Sequence, residues 1–386
     1  MVQILPKIKG DRVIWGVVII LSVFSVLAVY SSTTTLAYRF KQGNTEYYLI
    51  KHLSILILGF FLMYLAHKIK YVYYARISQL AVILSVPLLL YTLVFGASIN
   101  EASRWTTLPG VNLMFQPSDF AKLALIMFVA RMLAKKQENI KEFNNAFVPI
   151  LTPIAVVCIL ILPANFSTAA ILFVTCVVLM FIGRVNMKYL FSMAGIGVVI
   201  LVLFVGFLFI SPKSGGRLGT WQNRIEHFSA GNSEENFQVE QAKIAIARGG
   251  VFGKLPGNSM QKNFLPNPFN DFIYAIIVEE YGLIGAVIIL LMYLILLWRG
   301  IVIVGKSPGN YGAFLAIGVT FSLVFQAMIN MAVAVNLLPV TGQPLPLVSM
   351  GGTSIWFTSI ALGIILSVSK ELESTETENE PQHVTA

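Results

Sequence analysis

The ionisable side chains that could carry out chemistry in this chain fall at two places, each at the start of a long apolar run. Asp119 and Lys122 are three residues apart at the first place, so they share one face of a helix. Asp271, Glu279 and Glu280 are at the second place. Charged groups are costly to bury in apolar surroundings, so these residues are the first candidates for function.

Asp271 is the acid best placed for catalysis. It follows a glycine-punctuated stretch that ends at Lys262, and Arg217 and Arg224 come earlier in the same polar segment. One carboxylate among several cations suits a site that binds a diphosphate and moves a proton. The alternative is that Asp271 only helps to cap the helix that begins here, with Asn270 as the nominal cap. We expect Asp271 at the outer edge of the membrane.

The other charged candidates also have structural alternatives. Asp119 and Lys122 fit either a capped helix with an internal ion pair or the lining of a substrate cavity. Glu279 and Glu280 are expected two turns or more deeper than Asp271. They are interpreted as a structural network that pairs with Lys122 or with backbone donors.

The composition indicates which elements must position these residues. Of the 386 residues, 56% are hydrophobic and only 12% are charged, and the apolar residues come in long blocks. This is typical of a helical membrane protein, not of a soluble domain or of an outer-membrane barrel with alternating strands. The net charge of +9 is explained by orientation in a membrane, so we expect no nucleic-acid binding. Cys158 and Cys176 lie in apolar runs and are interpreted as buried thiols.

The apolar blocks predict an all-α polytopic membrane protein with about ten transmembrane helices. The predicted spans are 13–30, 48–67, 77–96, 119–134, 146–163, 167–184, 189–210, 271–299, 310–336 and 350–369. The first run resembles the start of a signal peptide. It is interpreted as an uncleaved first helix, because no clear cleavage site follows it and more spans do.

The distribution of Lys and Arg predicts the orientation. With the N-terminus inside, the short inner segments hold fifteen of these residues and the short outer segments hold four. Both termini are therefore expected in the cytoplasm. Residues 1–370 are expected to form a single transmembrane domain. Residues 371–386 carry five glutamates and no Lys or Arg, and are expected to form a disordered cytoplasmic tail.

Two connecting segments stand out. The sixty-residue connection 211–270, between the seventh and eighth helices, is expected to be periplasmic, functional and partly helical. It contains Trp221 and an amphipathic run from Asn236 to Arg248, which is followed by two glycines. Residues 330–352 are rich in Pro and Gly, and so irregular a segment at membrane depth must be packed in protein or line a cavity.

Five parts of the sequence together resemble a known family. They are FQPSDFAKL at 115–123, the residues Arg217, Trp221 and Arg224, FQVEQAKIAIARGGVFGKLPGNSMQK at 237–262, FLPNPFNDFIYAIIVEEYG at 264–282, and QAMINMAVAVNLLPVTGQPLPLVSMGGTS at 326–354. In this order they are similar to the SEDS proteins (shape, elongation, division and sporulation), and most of all to the cell-division members. The resemblance runs from about Arg12 to Lys370.

The resemblance implies a peptidoglycan glycosyltransferase that polymerises lipid II into β-1,4-linked glycan strands during septal wall synthesis. Lipid II is a disaccharide-pentapeptide on undecaprenyl diphosphate, and its hexosyl group is transferred with inversion. The resemblance also implies a place in the cell inner membrane, enriched at the division septum. The implied partners are a class B penicillin-binding protein, which is a transpeptidase, and other membrane proteins of the divisome.

The resemblance also implies roles for individual residues. Asp271 matches the essential acid of the family and is predicted to be the general base or the ligand of a divalent cation, Mg²⁺ or Mn²⁺. The predicted contacts to diphosphate or sugar are Lys262, Gln261, Ser259, Arg217, Arg224 and Lys122. The predicted supporting residues are Asp119, Glu279, Glu280, Trp221, Gln238, Asn330 and Ser349.

The chain departs from the family pattern at several positions, and alternatives to a division polymerase stay open. Asp119 stands where Glu is usual, Asn165 and Asn267 stand where many members have an acid, and Phe269–Asn270 replaces a His-Thr pair. A lipid II flippase would also need many spans and a cavity. A RodA-like elongation polymerase would use the same chemistry, and a scaffold for division proteins would use none.

Overall fold

The structure, a computed structural model, describes residues 9–99, 102–107, 114–210, 219, 222, 234–307 and 309–379. Within these ranges the chain is mostly helical. The α-helices are α1 (Arg12–Ser32), α2 (Thr34–Phe40), α3 (Thr45–Lys68), α4 (Tyr71–Phe95), α5 (Pro117–Lys135), α6 (Val148–Ile161), α7 (Phe166–Ile182), α8 (Met187–Ile210), α9 (Glu234–Gly249), α10 (Ile273–Lys306), α11 (Asn310–Ala334) and α12 (Gly352–Asn379). Two short 3₁₀ helices, Gln137–Asn139 and Gln261–Asn263, and a π-helical turn, Phe143–Phe147, complete the helical elements.

The ten predicted spans each correspond to one of these helices, which confirms the all-α polytopic fold. Eight of the described helices are long and apolar enough to cross a membrane, judged by length and composition. The remaining two spans are α7, which has 17 residues, and α5, which carries four charged residues in 19. The predicted helical part of the connection between the seventh and eighth spans is α9.

A short antiparallel ribbon joins α4 to α5, and the sequence did not predict it. It consists of β1 (Ala97–Ile99), β2 (Ala102–Thr107) and β3 (Met114–Phe115). Its middle strand is attached to α4, because the hydroxyls of Thr92 and Thr106 lie 2.9 Å apart. The ribbon leads the chain into the first turn of α5, where Asp119 lies.

The centre of the bundle is formed by α11 and α12. In α12, 78% of the apolar stretch is buried, and in α11 61%, whereas in α8 the share is only 12%. α12 packs closely on α3, because Gly363 lies against the backbone of Met63, where a Cβ atom would overlap the Met63 carbonyl. Such close approach at small residues is a main source of packing energy between membrane helices.

The two ends of the bundle differ. The end that carries α9 is here named the loop face, and the end where α1 begins is named the opposite face. At the opposite face Asp11 caps α1 by accepting from the amides of Val13 and Ile14, at 2.9 and 3.2 Å. The same carboxylate accepts from Nε of Arg299 in α10 at 2.6 Å, and the amide of Asp11 donates to Ser369 in α12 at 2.8 Å. Three helices are therefore fixed to each other here.

α10 is not one straight helix, because its backbone leaves the helical region at Gly282 (φ 66°, ψ −163°). The hydroxyl of Tyr274 donates to the carbonyl oxygen of Ala286, twelve residues later, at 3.4 Å. In a continuous helix those residues would lie about 18 Å apart along the axis. Residues 273–281, here named the half-helix, therefore fold back on residues 283–306, here named the long limb.

The turn that follows α9 completes the backbone hydrogen bonds at this break. The amide of Leu283 donates to the carbonyl oxygen of Gly250 at 2.9 Å. The amide of Lys254 donates to the carbonyl oxygen of Glu279 at 3.0 Å. Gly253 (φ 78°) lies so close to the backbone of the half-helix that a Cβ atom there would overlap it. The break is stable because backbone groups that an apolar setting cannot satisfy find partners in this turn.

The C-terminal boundary differs from the expected one. α12 continues to Asn379, so the helix extends nine residues into the segment 371–386 that was expected to be a disordered tail. Lys370 is therefore not the end of the helix. Residues 380–386 lie outside the part of the chain that the structure describes.

Candidate active site

Asp271 lies at the start of the half-helix, inside the bundle. It is half-buried, and its Oδ1 atom is buried. The N-cap of the helix is Phe272, and no side chain makes a capping hydrogen bond there. Asn270, the predicted nominal cap, is therefore not the N-cap of this helix. Because the positive end of the half-helix dipole lies beside it, negative charge on this carboxylate is stabilised.

Two side chains hold the backbone around Asp271. The amide nitrogen of Asn330 in α11 donates to the carbonyl oxygen of Asp271 at 2.9 Å. The hydroxyl of Ser349 donates to the carbonyl oxygen of Asn270 at 2.6 Å. The amide of Met350 donates to the carbonyl oxygen of Phe269 at 2.9 Å. Three consecutive carbonyls are thus fixed, so the predicted supporting residues Asn330 and Ser349 act on the backbone of the acid and not on its carboxylate.

Ser349 belongs to an irregular segment, residues 343–350, that is here named the proline-rich segment. Backbone amides of the segment satisfy the carbonyl of Leu345, and side chains from the surrounding helices satisfy four others. Donors to the carbonyls are Asn330 to Gln343 at 2.8 Å, Gln326 to Pro344 at 2.9 Å, Tyr293 to Pro346 at 2.6 Å and Ser25 to Val348 at 2.8 Å. Irregular backbone at membrane depth requires such partners, as the sequence led us to expect for this region. The segment is therefore a rigid platform held by α1, α10 and α11.

Asp271 lies deeper in the bundle than Glu280, which is the reverse of the expected order. The proline-rich segment that holds Asp271 meets α1 at Ser25, whose hydroxyl donates to Val348. Glu280 instead accepts from the hydroxyl of Ser31, which is six residues, or about 9 Å, nearer to the loop face along α1. The expectation was wrong because it assumed that the eighth span runs straight inward from Asp271. In the structure the half-helix first runs from Asp271 back toward the loop face, and the long limb then crosses the bundle.

Glu279 is an anchor for the loop that precedes Asp271. It is fully buried and accepts from the hydroxyl of Ser259 and from the amides of Met260 and Gln261, at 3.1 and 3.2 Å. Nζ of Lys254 lies 3.9 Å from its Oε1 atom. Hydrogen bonds to a buried carboxylate are roughly twice as strong as neutral ones. Of the two partners predicted for this acid, Lys122 or backbone donors, the structure shows backbone donors, together with Ser259 and Lys254.

Lys262 and Glu280 are linked through the hydroxyl of Ser31 in a second buried network next to this anchor. Nζ of Lys262 donates to the carbonyl oxygen of Gly257 at 2.7 Å and lies 3.3 Å from the hydroxyl of Ser31, which donates in turn to Glu280. The predicted diphosphate contacts Lys262, Gln261 and Ser259 are all buried. Ser259 and Gln261 donate to Glu279, and Lys262 is linked to Glu280 through Ser31. In this arrangement they shape the loop.

The Asp119–Lys122 pair lines a separate groove between α5, α11 and α12. Nζ of Lys122 lies 3.0 Å from Oδ1 of Asp119 and donates to Oε1 of Gln326 at 3.1 Å. The groove is also lined by Ser354 and Phe357. The predicted ion pair forms and faces this groove, whereas the N-cap of α5 is Gln116, which makes no side-chain capping hydrogen bond. That the groove takes substrate stays a prediction. Through Gln326, which donates to Pro344, the ion pair also supports the proline-rich segment.

The remaining predicted residues are placed as follows. Gln238 is half-buried on α9. Arg217, Trp221 and Arg224 lie outside the residues that the structure describes. The divalent cation remains a prediction. Among the described residues no group of three or more His, Cys, Asp or Glu side chains could hold a metal ion. Mg²⁺ is often held by one carboxylate together with substrate phosphates, so a cation at Asp271 would take its other ligands from the diphosphate and water.

Sequence reasoning missed three polar residues of this site. Gln326 and Gln343 were not singled out, although a buried amide in an apolar span is a signal for a structural hydrogen bond. Gln343 donates to the hydroxyl of Thr168 at 2.8 Å. Asn165, noted only as a departure from the family, is the N-cap of α7 and accepts from the amide of Thr168 at 3.2 Å. A carboxylate is not needed there, because Asn caps helices as well as Asp does.

These features define a polytopic membrane protein in which a carboxylate is held at membrane depth on a half-helix, under a loop that is anchored by two acids. The chain belongs to the cell cycle protein family that comprises FtsW, RodA and SpoVE, whose family model matches residues 11–374. It is 33% identical over 368 residues to the stage V sporulation protein E of Bacillus subtilis, covering 94% of this chain and 98% of the relative. It is 34% identical over 380 residues to a probable peptidoglycan glycosyltransferase FtsW of Geobacter metallireducens, covering 95% and 96%.

Solved structures have the same fold. The rod shape determining protein RodA of Thermus thermophilus superimposes with a TM-score of 0.66 at 22% identity, covering 94% of this chain and 97% of that one. A chain from a study of how a peptidoglycan synthase complex coordinates polymerization and crosslinking superimposes with a TM-score of 0.75 at 23% identity, covering 94% and 98%. At these identities the likeness establishes the fold alone.

Proposed function

We propose that this chain is a peptidoglycan glycosyltransferase that polymerises lipid II into β-1,4-linked glycan strands for the septal wall. The proposal rests on one observation. The backbone at an acid, Asp271, is held at membrane depth by two contacts to the proline-rich segment and one to α11, within a family whose relatives include probable peptidoglycan glycosyltransferases. A lipid-linked substrate brings its diphosphate to the membrane, so an acid for this chemistry must lie within the bundle.

The reaction requires the protein mainly to orient the two sugars and to accept one proton. The 4-hydroxyl of one sugar attacks the anomeric carbon of the lipid-linked end of the growing glycan, and the carbon–oxygen bond to the diphosphate breaks with inversion. Asp271 accepts the proton of the attacking hydroxyl, and the diphosphate leaves with the bonding electron pair. A diphosphate is a good leaving group, so orientation of the two sugars and removal of this proton supply most of the catalysis.

Rigid placement of the acid supports this mechanism. A general base must stay within hydrogen-bond reach of the proton that it removes, and small displacements of a reacting group cost large factors in rate. The carbonyl contacts from Asn330, Ser349 and Met350 hold the backbone of residues 269–271. A flippase needs two access states of its cavity, which a platform held by several helices does not favour.

The orientation and cellular place follow from the charge bias. Fifteen basic residues in the short segments on one side, against four on the other, support cytoplasmic termini and a periplasmic loop face. The proposed location is the cell inner membrane, enriched at the septum. The related fold in a peptidoglycan synthase complex supports a transpeptidase partner, for which we propose a class B penicillin-binding protein alongside other divisome proteins.

The test is glycan synthesis by the purified full-length chain together with its transpeptidase partner, with lipid II as the only sugar source. Wild type is expected to make polymer, and Asp271→Asn is expected to lower the rate by about 10²–10⁴-fold, the range for loss of a general base. Glu240→Gln, at an exposed acid on α9, is the matched control and is expected to retain the wild-type rate. Polymerisation by Asp271→Asn within tenfold of wild type would refute the role of the acid.

The same assay separates the alternative functions. In detergent there is no bilayer to cross, so a flippase makes no polymer, whereas a polymerase does. Absence of polymer from wild type with an active partner would overturn the proposal. An elongation polymerase would catalyse the same reaction at a different place in the cell. Division and elongation are therefore distinguished by an experiment in cells. Depletion of this chain is expected to give filaments with unfinished septa, and rounded cells would indicate an elongation enzyme.

A further inference from the structure

A buried serine–histidine pair lies outside the residues that the proposed mechanism uses. Ser25 in α1 and His52 in α3 are both fully buried. Nε2 of His52 lies 2.8 Å from the hydroxyl oxygen of Ser25, and that hydroxyl donates to the carbonyl oxygen of Val348 at 2.8 Å. Two polar side chains from different helices thus converge on one carbonyl of the proline-rich segment.

The hydrogen-bond geometry fixes the direction of this chain of contacts. Ser25 has a single hydroxyl proton, which goes to the carbonyl of Val348, so Nε2 of His52 must carry the proton that it shares with Ser25. Nδ1 of His52 is then a bare acceptor, and it is buried without a hydrogen-bond partner among the described residues. An unsatisfied buried acceptor costs about 1–3 kcal/mol. An apolar side chain at position 52 would not leave a buried acceptor unsatisfied. The presence of His52 therefore indicates that the hydrogen bond from its Nε2 to Ser25 has a use.

A series of contacts connects His52 to the backbone beside Asp271. Val348 is followed directly by Ser349, and the amides of both donate to the carbonyl of Leu345, at 3.1 and 2.9 Å. The two residues therefore move together as one turn. Ser349 in turn holds the carbonyl of Asn270, the residue immediately before Asp271 in sequence.

We infer that Ser25 and His52 are positioning residues for the proposed reaction: His52 orients the Ser25 hydroxyl, which fixes the turn whose next residue holds the backbone beside Asp271. Neither residue lies next to the acid, so they act through Ser349. This inference rests on the proposed function. Whether the pair holds the turn can also be measured by hydrogen exchange, which does not require glycosyltransferase activity.

The first experiment measures polymerisation kinetics of the complex with lipid II. Ser25→Ala is expected to lower kcat about five- to tenfold while the KM stays within twofold, and His52→Leu is expected to do the same. His52→Gln, whose amide nitrogen can occupy the position of Nε2, is expected to restore at least half of the wild-type kcat. The matched control is Ser22→Ala, one turn away in α1, whose buried hydroxyl has no hydrogen-bond partner in the described part of the chain, and it is expected to stay within twofold.

The double variant Ser25→Ala/His52→Leu tests whether the two residues act in series. In series it falls no further than Ser25→Ala alone, whereas independent structural roles multiply the two losses. An unchanged kcat in both single variants would overturn the inference. Equal loss in Ser22→Ala, failure of His52→Gln to restore activity, or multiplied losses would overturn it as well.

The second experiment is amide hydrogen exchange of residues 345–350 in the full-length protein in lipid nanodiscs. Ser25→Ala is expected to speed exchange there at least tenfold, and Ser22→Ala is expected to leave it unchanged. Unchanged exchange in Ser25→Ala would overturn the positioning role even if activity fell. Should wild type make no polymer at all, the proposed function would fail while this measurement still decided whether the pair holds the turn.

Discussion

Glu279 is the residue whose replacement tests most directly how the loop above the acid is held. The perturbation is Glu279→Ala, with Glu279→Gln as the milder change. Glu279 is fully buried and accepts from Ser259, Met260 and Gln261. Alanine removes the acceptor and leaves two backbone amides and a hydroxyl buried without it. Glutamine keeps one acceptor oxygen but turns an NH₂ group toward the donors.

The magnitude follows from these contacts. Each buried donor left without a partner costs about 1–3 kcal/mol, and removing one partner of a buried charged network costs about 3–5 kcal/mol. We therefore expect Glu279→Ala to weaken attachment of the loop by about 4 kcal/mol and Glu279→Gln by about half as much. Since about 1.4 kcal/mol corresponds to a factor of ten, the open loop becomes about a thousandfold more populated in the alanine variant.

The assay uses trypsin, because Lys262 is buried in the closed loop and becomes a cleavage site when the loop opens. Cleavage after Lys262 should accelerate in proportion to the population of the open form. Glu240→Gln, at an exposed acid, is the control and is expected to change stability by less than about 0.5 kcal/mol. The reasoning is refuted if Glu279→Ala is cleaved after Lys262 no faster than wild type and unfolds at the same temperature.

Two further replacements test the backbone break and the opposite face. Gly282→Ala is expected to prevent stable folding, because a Cβ atom at φ 66° is strained and would overlap the backbone of the inserted turn. Gly195→Ala in α8, where nothing lies within 4 Å, should leave the unfolding temperature in detergent unchanged or slightly raised. Asp11→Asn keeps the cap of α1 but weakens the pair with Arg299, with an expected loss of about 1–3 kcal/mol, and Asp11→Ala should lose about 1 kcal/mol more. Equal unfolding temperatures for the two Asp11 variants would show that the cap contributes nothing.

The transmembrane helices could be predicted from the sequence, because apolar blocks of about twenty residues leave few other structures in a membrane. The fold-back of α10 could not. Its sequence reads as one apolar run interrupted by Glu279 and Glu280, and Gly282 looks like any other glycine of a membrane helix, since glycines are common there. The reversal is shown by the backbone angles at Gly282 and by the contact of Tyr274 with Ala286.

The candidate site was predicted in its residues but not in its connections. Asp271, Asn330 and Ser349 were singled out, yet their contacts join parts of the chain far apart in sequence, and spacing gives no information about such pairs. The irregular proline-rich segment was expected from its composition. Its partners were not, because each carbonyl is satisfied by whichever helix happens to pass it in the folded bundle. The sequence also could not show that Lys262 donates to Gly257 and reaches Glu280 through Ser31.

The turn inserted at Gly282 has a consequence for exchanging parts between members of this family. The first amide of the long limb takes its hydrogen-bond partner from Gly250, more than thirty positions earlier in the chain. A graft that joined a foreign loop to this chain at the apparent membrane border, just before Ile273, would separate these partners. The smallest transplantable module therefore runs from Gly249 to Ile284, because it keeps both ends of these hydrogen bonds in one piece.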